Sequence, residues 1–186
     1  KPQDAFDFLV SLGRHTEAEM TMLTHLSVTH ALLRSWGCDE SSAHVGLCHA
    51  IYGCAGYPPL LTSTSREAVQ RVIGVDAESA AFLNCAAELG SLDEALISIC
   101  AAFREVAKRD DHDSKYSEAQ TAPGDAWRAV LIRDALSRNP FRTRDTSGRL
   151  ARLSEEGKLP RVLRFATVRQ LQTLCAVQLA AWLGQA

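Results

Sequence analysis

The sequence predicts an all-α protein, and three observations indicate that fold class. The 186-residue chain is 46% hydrophobic and 23% charged, a balance typical of a chain that folds around a core. Its apolar residues recur every three or four positions along most segments, which is the spacing of amphipathic helices. Thr16 with Glu19 and Ser91 with Glu94 have the spacing of capping boxes, in which side chains satisfy backbone N–H groups at a helix start.

Each predicted helix has an apolar face and a signal that ends it. The helix that begins at Thr16 presents Met22, Leu26 and Leu33 on one face, and Gly37 ends it. The Gly-Tyr-Pro-Pro run that follows the third helix predicts an extended loop, because proline fixes the backbone and lacks an N–H donor. The predicted helices cover residues 4–12, 16–36, 39–53, 65–73, 76–89, 91–106, 125–138 and 167–182.

One small β-hairpin is expected in an otherwise helical chain. Ser147-Gly148 is a turn signal, and residues 143–153 are predicted to pair across it. Residues 108–124 are polar and unpatterned, which is typical of a solvated loop. Since no repeat or linker divides the sequence, we expect one helical domain over residues 1–186, with an Arg-rich irregular segment and a C-terminal helix in 132–186.

Composition also indicates the cellular compartment of the protein. No apolar run approaches the ~18 residues that cross a bilayer, so we expect no transmembrane segment. The 6 cysteines include no CxxC pair, and four of them lie among apolar residues on predicted helices. We therefore expect reduced thiols and an intracellular protein, in the cytoplasm or an organelle interior. Because the chain begins at Lys1 rather than Met, we expect any targeting peptide to lie outside it.

The charges are unevenly distributed along the chain. Residues 1–127 hold 9 basic and 18 acidic residues, whereas residues 128–169 hold 11 basic and 4 acidic ones. This pattern predicts a protein partner with an acidic or anionic surface, although the basic segment could instead pair with the acidic remainder of the same molecule. The charge does not indicate nucleic-acid binding. The predicted partner surface consists of Arg142, Arg144, Arg149, Arg152, Arg161 and Arg164.

Five of the 6 histidines lie between positions 15 and 49, and two of them are candidates for a shared site. His25 and His30 are five residues apart, about 140° around a helix, so they cannot point the same way. A site would therefore take one histidine from each of two packed helices. His25 and His49 are the natural pair, and Tyr52 follows His49 by three residues on the same side.

This pattern resembles the HD-domain superfamily, an all-helical hydrolase fold. The 24-residue step from His25 to His49 and the run Gly-Leu-Cys-His-Ala-Ile-Tyr-Gly around His49 are similar to the hydrolase domain of stringent-response (ppGpp) enzymes. An uncharacterised, mostly bacterial HD-like family is more similar still. Its signature resembles Trp36-Gly37, Gly46-Leu47 and the His-Ser/Ala-Ile-Tyr-Gly motif at His49, followed by a terminal helix like Leu171 to Trp182.

The departures from that resemblance concern the metal ligands. The Asp of the His-Asp pair falls on Ala50, and the Glu-Asp pair of the ppGpp hydrolases falls on Gly53 and Cys54. Asn84 is the nearest polar candidate for the final Asp, and two histidines with an amide fall short of a catalytic metal's ligand set. We therefore expect no metal cofactor. If a divalent metal is bound, His25 and His49 are its ligands, with Asp39, Cys48 or Cys54 completing the shell.

Two functions follow from these residues. The first is a degenerate HD-like domain, a pseudoenzyme that serves as a non-catalytic accessory subunit or as a ligand-binding or interaction module of a larger assembly. The alternative is a phosphate-ester hydrolase or metal-dependent oxygenase with a remodelled site, in which His49 and Tyr52 are the catalytic candidates. In either case the ligand-binding candidates are Arg14, His25, His49 and Asn84, with Arg14 placed where the resemblance implies a base-stacking arginine. We prefer the non-catalytic function.

Overall fold

The computed structural model describes residues 2–12, 16–53, 59–60, 66–87, 95–96, 146–157 and 160–184, and every regular element within them is helical. The all-α prediction is therefore confirmed. The chain divides into two compact units, one comprising Lys1–Leu89 with Ala180–Ala186 and the other Gly90–Leu179. The single helical domain expected over residues 1–186 stays a prediction.

Up to residue 87, the described part of the first unit contains five helices that follow one another closely along the chain. Most begin or end within a few residues of the predicted positions, because caps and glycines mark them. At the start of the second helix, Glu19 N donates to Thr16 Oγ1 and Thr16 N donates to Glu19 Oε2, which confirms the predicted capping box. The helices are α1 (Pro2–Leu12), α2 (Glu17–Ser35), α3 (Glu40–Cys48), α4 (Arg66–Ile73) and α5 (Val75–Ala86).

Helices α2 and α3 pack closely against each other. The chain turns between them at Gly37, whose φ of 75° favours glycine, and Asp39 Oδ1 caps α3 by accepting from Ser42 N at 2.7 Å. A Cβ at position 46 would overlap the Leu33 side chain and lie 3.3 Å from Thr29 Cγ2. Glycine at position 46 therefore allows the two helices to approach this closely.

Helix α3 is shorter than predicted. It ends at Cys48, and His49 is its C-terminal cap rather than an interior residue. Ile51 N then donates to Cys48 O and Gly53 N donates to Ala50 O, both at 3.0 Å, so the chain continues as tight turns. His49 and Tyr52 consequently lie at the end of α3 and in the following turn, next to α5.

The second unit corrects the predicted hairpin. Thr146–Glu155 forms a helix, α6, where residues 143–153 were expected to pair as strands. Gly148 is not among the positive-φ glycines that a tight hairpin turn requires, and Leu150 and Leu153 are buried at helical spacing. The helix ends before Gly157, whose φ is 69°.

A 3-10 helix and a long α-helix follow, and the last residues of the long helix, from Ala180, belong to the first unit. The 3-10 helix covers Arg161–Phe165, and α7 covers Val168–Leu183, close to the predicted 167–182. Thr167 N donates to Gln170 Oε1 and Gln170 N donates to Thr167 Oγ1, a second reciprocal cap that defines where α7 begins. Among the described residues, no helix is both long and apolar enough to cross a membrane.

Candidate functional site

The His25 and His49 side chains meet between α2 and the end of α3. Their Nε2 atoms are 3.2 Å apart, and the two rings are nearly perpendicular, with an interplanar angle of 73°. His49 is buried, whereas His25 is partly exposed. The structure thus brings together the two histidines that the sequence singled out, one from each helix.

The hydrogen bonds of this pair define the tautomers of both rings. His49 Nδ1 lies 2.8 Å from Gly46 O, and because a carbonyl only accepts, this nitrogen carries the proton. The Nε2 atom of neutral His49 is then an acceptor, so His25 must donate from its own Nε2 across the 3.2 Å contact. Burial, together with the charge of a protonated His25, lowers the pKa of His49 to about 4, so the donor–acceptor chain is intact at neutral pH.

The backbone carbonyl of His49 also accepts hydrogen bonds. Asn84 Nδ2 donates to His49 O at 2.9 Å, and Cys85 Sγ donates to the same oxygen at 3.0 Å. Asn84, a candidate ligand in the sequence, is buried on α5 and uses its amide to anchor the end of α3. The bonded groups around His49 therefore join α2, α3 and α5.

A second pair of histidines occupies the same two helices. His44 is buried on α3, His30 is partly buried on α2, and within the described residues the Nε2 atom of each has no hydrogen-bond partner. Burial lowers the pKa of both histidines, and the proximity of His44 lowers that of His30 further. Burial therefore favours the neutral form of both imidazoles.

Tyr52 belongs to a buried network that the sequence did not reveal. Its hydroxyl donates to Glu78 Oε1 at 2.6 Å, while Gln70 Nε2 donates to Glu78 Oε2 at 2.9 Å. Arg66 spans the same carboxylate, with Nε 2.7 Å from Oε1 and Nη2 2.8 Å from Oε2. The Phe82 ring lies beside both Tyr52 and the Arg66 guanidinium. The centroids of the Phe82 and Tyr52 rings are 5.7 Å apart, and Arg66 Cζ lies 4.0 Å from the Phe82 centroid.

Glu78 is the centre of this network, and its side chain is fully buried. Burial opposes its ionisation, but the hydrogen bonds from Arg66, Tyr52 and Gln70 keep the pKa of Glu78 below its ordinary value. Burial, aided by the bond to this carboxylate, raises the pKa of Tyr52 above its ordinary value. Tyr52 is therefore a neutral hydrogen-bond donor at physiological pH. The sequence signal for this network was Glu78, a carboxylate set among Ala77, Ala80 and Ala81, which are buried on the same helix.

The residues at this site do not fit the metal centre that the HD-like resemblance implies. The two histidines supply two ligands, and the third position is the buried Ala50, which has no donor atom. Asn84 donates from Nδ2 to the His49 carbonyl, and its neutral amide does not replace the carboxylate that the resemblance implies. Across the described residues, no group of three or more His, Cys, Asp or Glu side chains is arranged to hold a metal ion.

The remaining ligand candidates for such a metal are placed elsewhere or lie outside the described residues. Asp39 caps α3 through Ser42 N. Cys48 is buried, and burial together with Cys85 raises the pKa of its thiol to about 12, so it is not a thiolate at neutral pH. Cys54 and the base-stacking candidate Arg14 lie outside the described residues.

The predicted partner surface is described in part. Arg152, Arg161 and Arg164 are exposed. The neighbouring Phe165 is 82% exposed, and Arg164 Cζ lies 5.6 Å from the centroid of its ring. Two residues of this surface, Arg142 and Arg144, lie outside the described part of the chain, as does the side chain of Arg149.

Phe165 is a residue that the sequence analysis missed, and its backbone is well anchored. Leu163 and Ala166 on either side of it are buried, and Ala166 N donates to Leu163 O at 3.0 Å. Within the described residues, neither Arg161 nor Arg164 makes a hydrogen bond or ion pair, and the contact of Arg164 with the Phe165 ring is a cation–π contact. Two exposed arginines without an ion-pair partner among the described residues therefore lie on the same short helix as an exposed aromatic side chain.

A comparison with protein families gives a match over less than half of the chain. Residues 10–88 match the family model of a domain of unknown function (DUF6817). The matched range includes α2 to α5 and therefore both the histidine pair and the Glu78 network. No curated protein and no solved structure matches this chain.

Proposed function

We propose that this chain is a non-catalytic HD-like module that binds a protein partner through its basic C-terminal segment. The histidine pair and Tyr52 then serve to hold α2, α3 and α5 together. The observation that carries the proposal is that the candidate catalytic groups are already hydrogen-bonded within the protein, His49 to His25 and to Gly46 O, and Tyr52 to Glu78. A general base needs a lone pair directed at substrate, whereas the lone pair of His49 Nε2 accepts from His25.

The proton affinities of these groups support the same function. An imidazole suited to general acid–base catalysis at neutral pH titrates near 7, but the pKa of His49 is about 4. A tyrosine that loses its proton in catalysis needs a lowered pKa, but that of Tyr52 is raised. Both groups retain one protonation state across the physiological range, which suits a structural role.

The basic segment supports the binding part of the proposal. Exposed arginines next to an exposed aromatic ring are typical of protein-binding surfaces, where Arg and aromatic residues contribute most of the affinity. The anchored backbone around Phe165 limits the conformational entropy lost on binding. An acidic partner segment with an apolar side chain would complement Arg161, Arg164 and Phe165.

Elemental analysis tests the non-catalytic part of this proposal. The untagged protein, purified without chelator, is compared with His49→Ala and with the milder His25→Gln. We expect sub-stoichiometric Fe, Mn and Zn in all three proteins. Near-stoichiometric metal in the wild type, lost in either variant, would contradict the proposal and indicate a metal-dependent hydrolase or oxygenase. The His25→Gln variant maintains this test if His49→Ala fails to fold.

A further inference from the structure

The guanidinium of Arg66 has two edges, and Glu78 occupies only one of them. The inner edge consists of Nε and one N–H of Nη2, which contact the two carboxylate oxygens at 2.7 and 2.8 Å. The Glu78 side chain is fully buried, whereas that of Arg66 is 43% exposed. The arginine therefore reaches from a buried carboxylate to the surface of the first unit.

Neighbouring side chains hold the guanidinium in one orientation. Tyr52 and Gln70 donate to the same carboxylate, so Glu78 cannot rotate without breaking several hydrogen bonds. The Phe82 ring covers one face of the guanidinium at 4.0 Å. Arginine usually loses side-chain entropy when it binds a ligand, but here the fold has already ordered it.

The outer edge of Arg66 retains hydrogen-bond donors that none of the described residues uses. A guanidinium has five N–H groups, and the inner edge uses two of them. Arg66 Nη1 makes no hydrogen bond or ion pair with any residue that the structure describes. The two N–H groups of Nη1 and the second N–H of Nη2 form a further planar fork, the geometry that binds a carboxylate or phosphate through two oxygens.

We propose that the outer edge of Arg66 is a binding site for an oxyanion, the phosphate or carboxylate group of a small ligand. Because Glu78 balances the charge of Arg66, the site attracts anions weakly at long range and selects them by fork geometry at short range. It therefore discriminates phosphate and carboxylate from chloride, and a lysine cannot replace the arginine. This site lies in the first unit and is independent of the basic segment proposed to bind a partner.

Side-chain NMR of the intact chain tests the proposal directly. The Nε–Hε resonances of Arg66 and Arg71 are followed during titrations with inorganic phosphate, with acetate and with sodium chloride at matched ionic strength. Arg71 is the matched control, since it is an exposed arginine on α4 whose Nε donates to Glu67 O. We expect a saturable shift at Arg66 with phosphate, acetate or both, little shift with chloride, and little shift at Arg71. The stronger anion identifies the ligand group.

Two variants separate fork geometry from charge. Arg66→Lys retains the positive charge and loses the fork, and we expect about ten-fold weaker anion binding by calorimetry. Arg71→Lys should leave binding unchanged. Equal shifts at Arg66 and Arg71, equal shifts with chloride, or undiminished binding in folded Arg66→Lys would each overturn the proposal. If Arg66→Lys fails to fold, the NMR titration of the wild-type protein still tests whether Arg66 binds oxyanions.

Discussion

The hydroxyl of Tyr52 donates to Glu78 Oε1 at 2.6 Å, although the two residues are 26 positions apart in sequence. This bond joins the turn after α3 to α5, and Tyr52 lies three residues from His49. A residue that the sequence presents as a catalytic candidate thus connects the histidine pair to a buried ion pair. The candidate site and the packing of the first unit consequently depend on the same side chains.

Loss of the Glu78 carboxylate should destabilise the first unit. Glu78→Ala leaves Arg66, Tyr52 and Gln70 without their shared acceptor, and breaking a buried ion pair costs about 3–5 kcal/mol. We expect about 3 kcal/mol, the lower end of that range, because Arg66 is partly exposed. Urea denaturation measures the change. Glu67→Ala, at an exposed position on α4, should stay within about 0.5 kcal/mol of wild type.

The milder variant Tyr52→Phe removes one hydrogen bond and retains the ring against Phe82. A hydrogen bond to a charged group contributes about 1.5–3 kcal/mol, so this variant should be less destabilised than Glu78→Ala. The same denaturation experiment compares the two. A Tyr52→Phe protein as stable as wild type would show that the Tyr52–Glu78 bond contributes nothing to the fold.

Acid should weaken the protein through His49. Its pKa is about 4 in the folded chain and close to the ordinary 6.5 when unfolded, so above pH 6.5 both states are neutral. As the pH falls from 6.5 to 4, the unfolded state binds a proton that the folded state does not, and stability decreases. The loss approaches about 3 kcal/mol below pH 4. Burial also lowers the pKa of His25, which acts in the same direction.

Unfolding free energies measured at several pH values between 7 and 4 check this expectation. His49→Gln removes the titrating ring, so its stability should depend less on pH than that of the wild type. Parallel pH profiles for the two proteins would contradict the prediction, since they would mean that His49 titrates alike in the folded and unfolded states.

Gly46→Ala should separate α2 from α3. Alanine usually favours a helix over glycine, but here the added methyl group overlaps Leu33 and approaches Thr29. Overpacking of this kind costs about 1–3 kcal/mol. Thermal unfolding of Gly46→Ala, Leu33→Ala and the double variant forms a cycle. We expect Gly46→Ala to be less harmful in the Leu33→Ala background; strictly additive effects would show that the two side chains do not conflict.

Charge reversal should separate binding from folding in the basic segment. Arg161→Glu with Arg164→Glu changes two exposed residues, so stability should stay within about 0.5 kcal/mol of wild type. Fluorescence anisotropy with a labelled peptide rich in Glu and Leu measures binding, which should weaken about ten-fold or more. Phe165→Ser should weaken it as well.

The matched control for this prediction is Arg34→Glu with Arg71→Glu, which makes the same change in charge at exposed positions of the first unit. We expect the control to bind the peptide nearly as well as wild type. If both double variants lose peptide affinity equally, the peptide is attracted by the net charge of the protein and not by a defined surface. Binding to phosphatidylserine vesicles without binding to the peptide would contradict a protein partner.

Local sequence signals predicted the helices well and the turn chemistry poorly. Thr16 and Glu19 form the expected reciprocal cap because both partners lie within one helical turn. Ser147-Gly148 suggested a hairpin, yet the apolar spacing of Leu150 and Leu153 was the better guide, since burial of a helical face outweighs a turn preference. The predicted helices at 91–106 and 125–138 lie largely outside the described residues.

The sequence by itself determined the helical fold class and the pair of histidines on two successive helices. Caps and apolar spacing act over a few residues, so they can be read from the sequence. Two successive helices joined by a short turn pack against each other, and this brings positions 25 and 49 close together. The tertiary structure decided what those residues do. His49 accepts from His25, Tyr52 donates to Glu78, and the partly exposed Arg66 binds the buried Glu78, because burial and hydrogen bonding depend on helices brought together from distant parts of the chain.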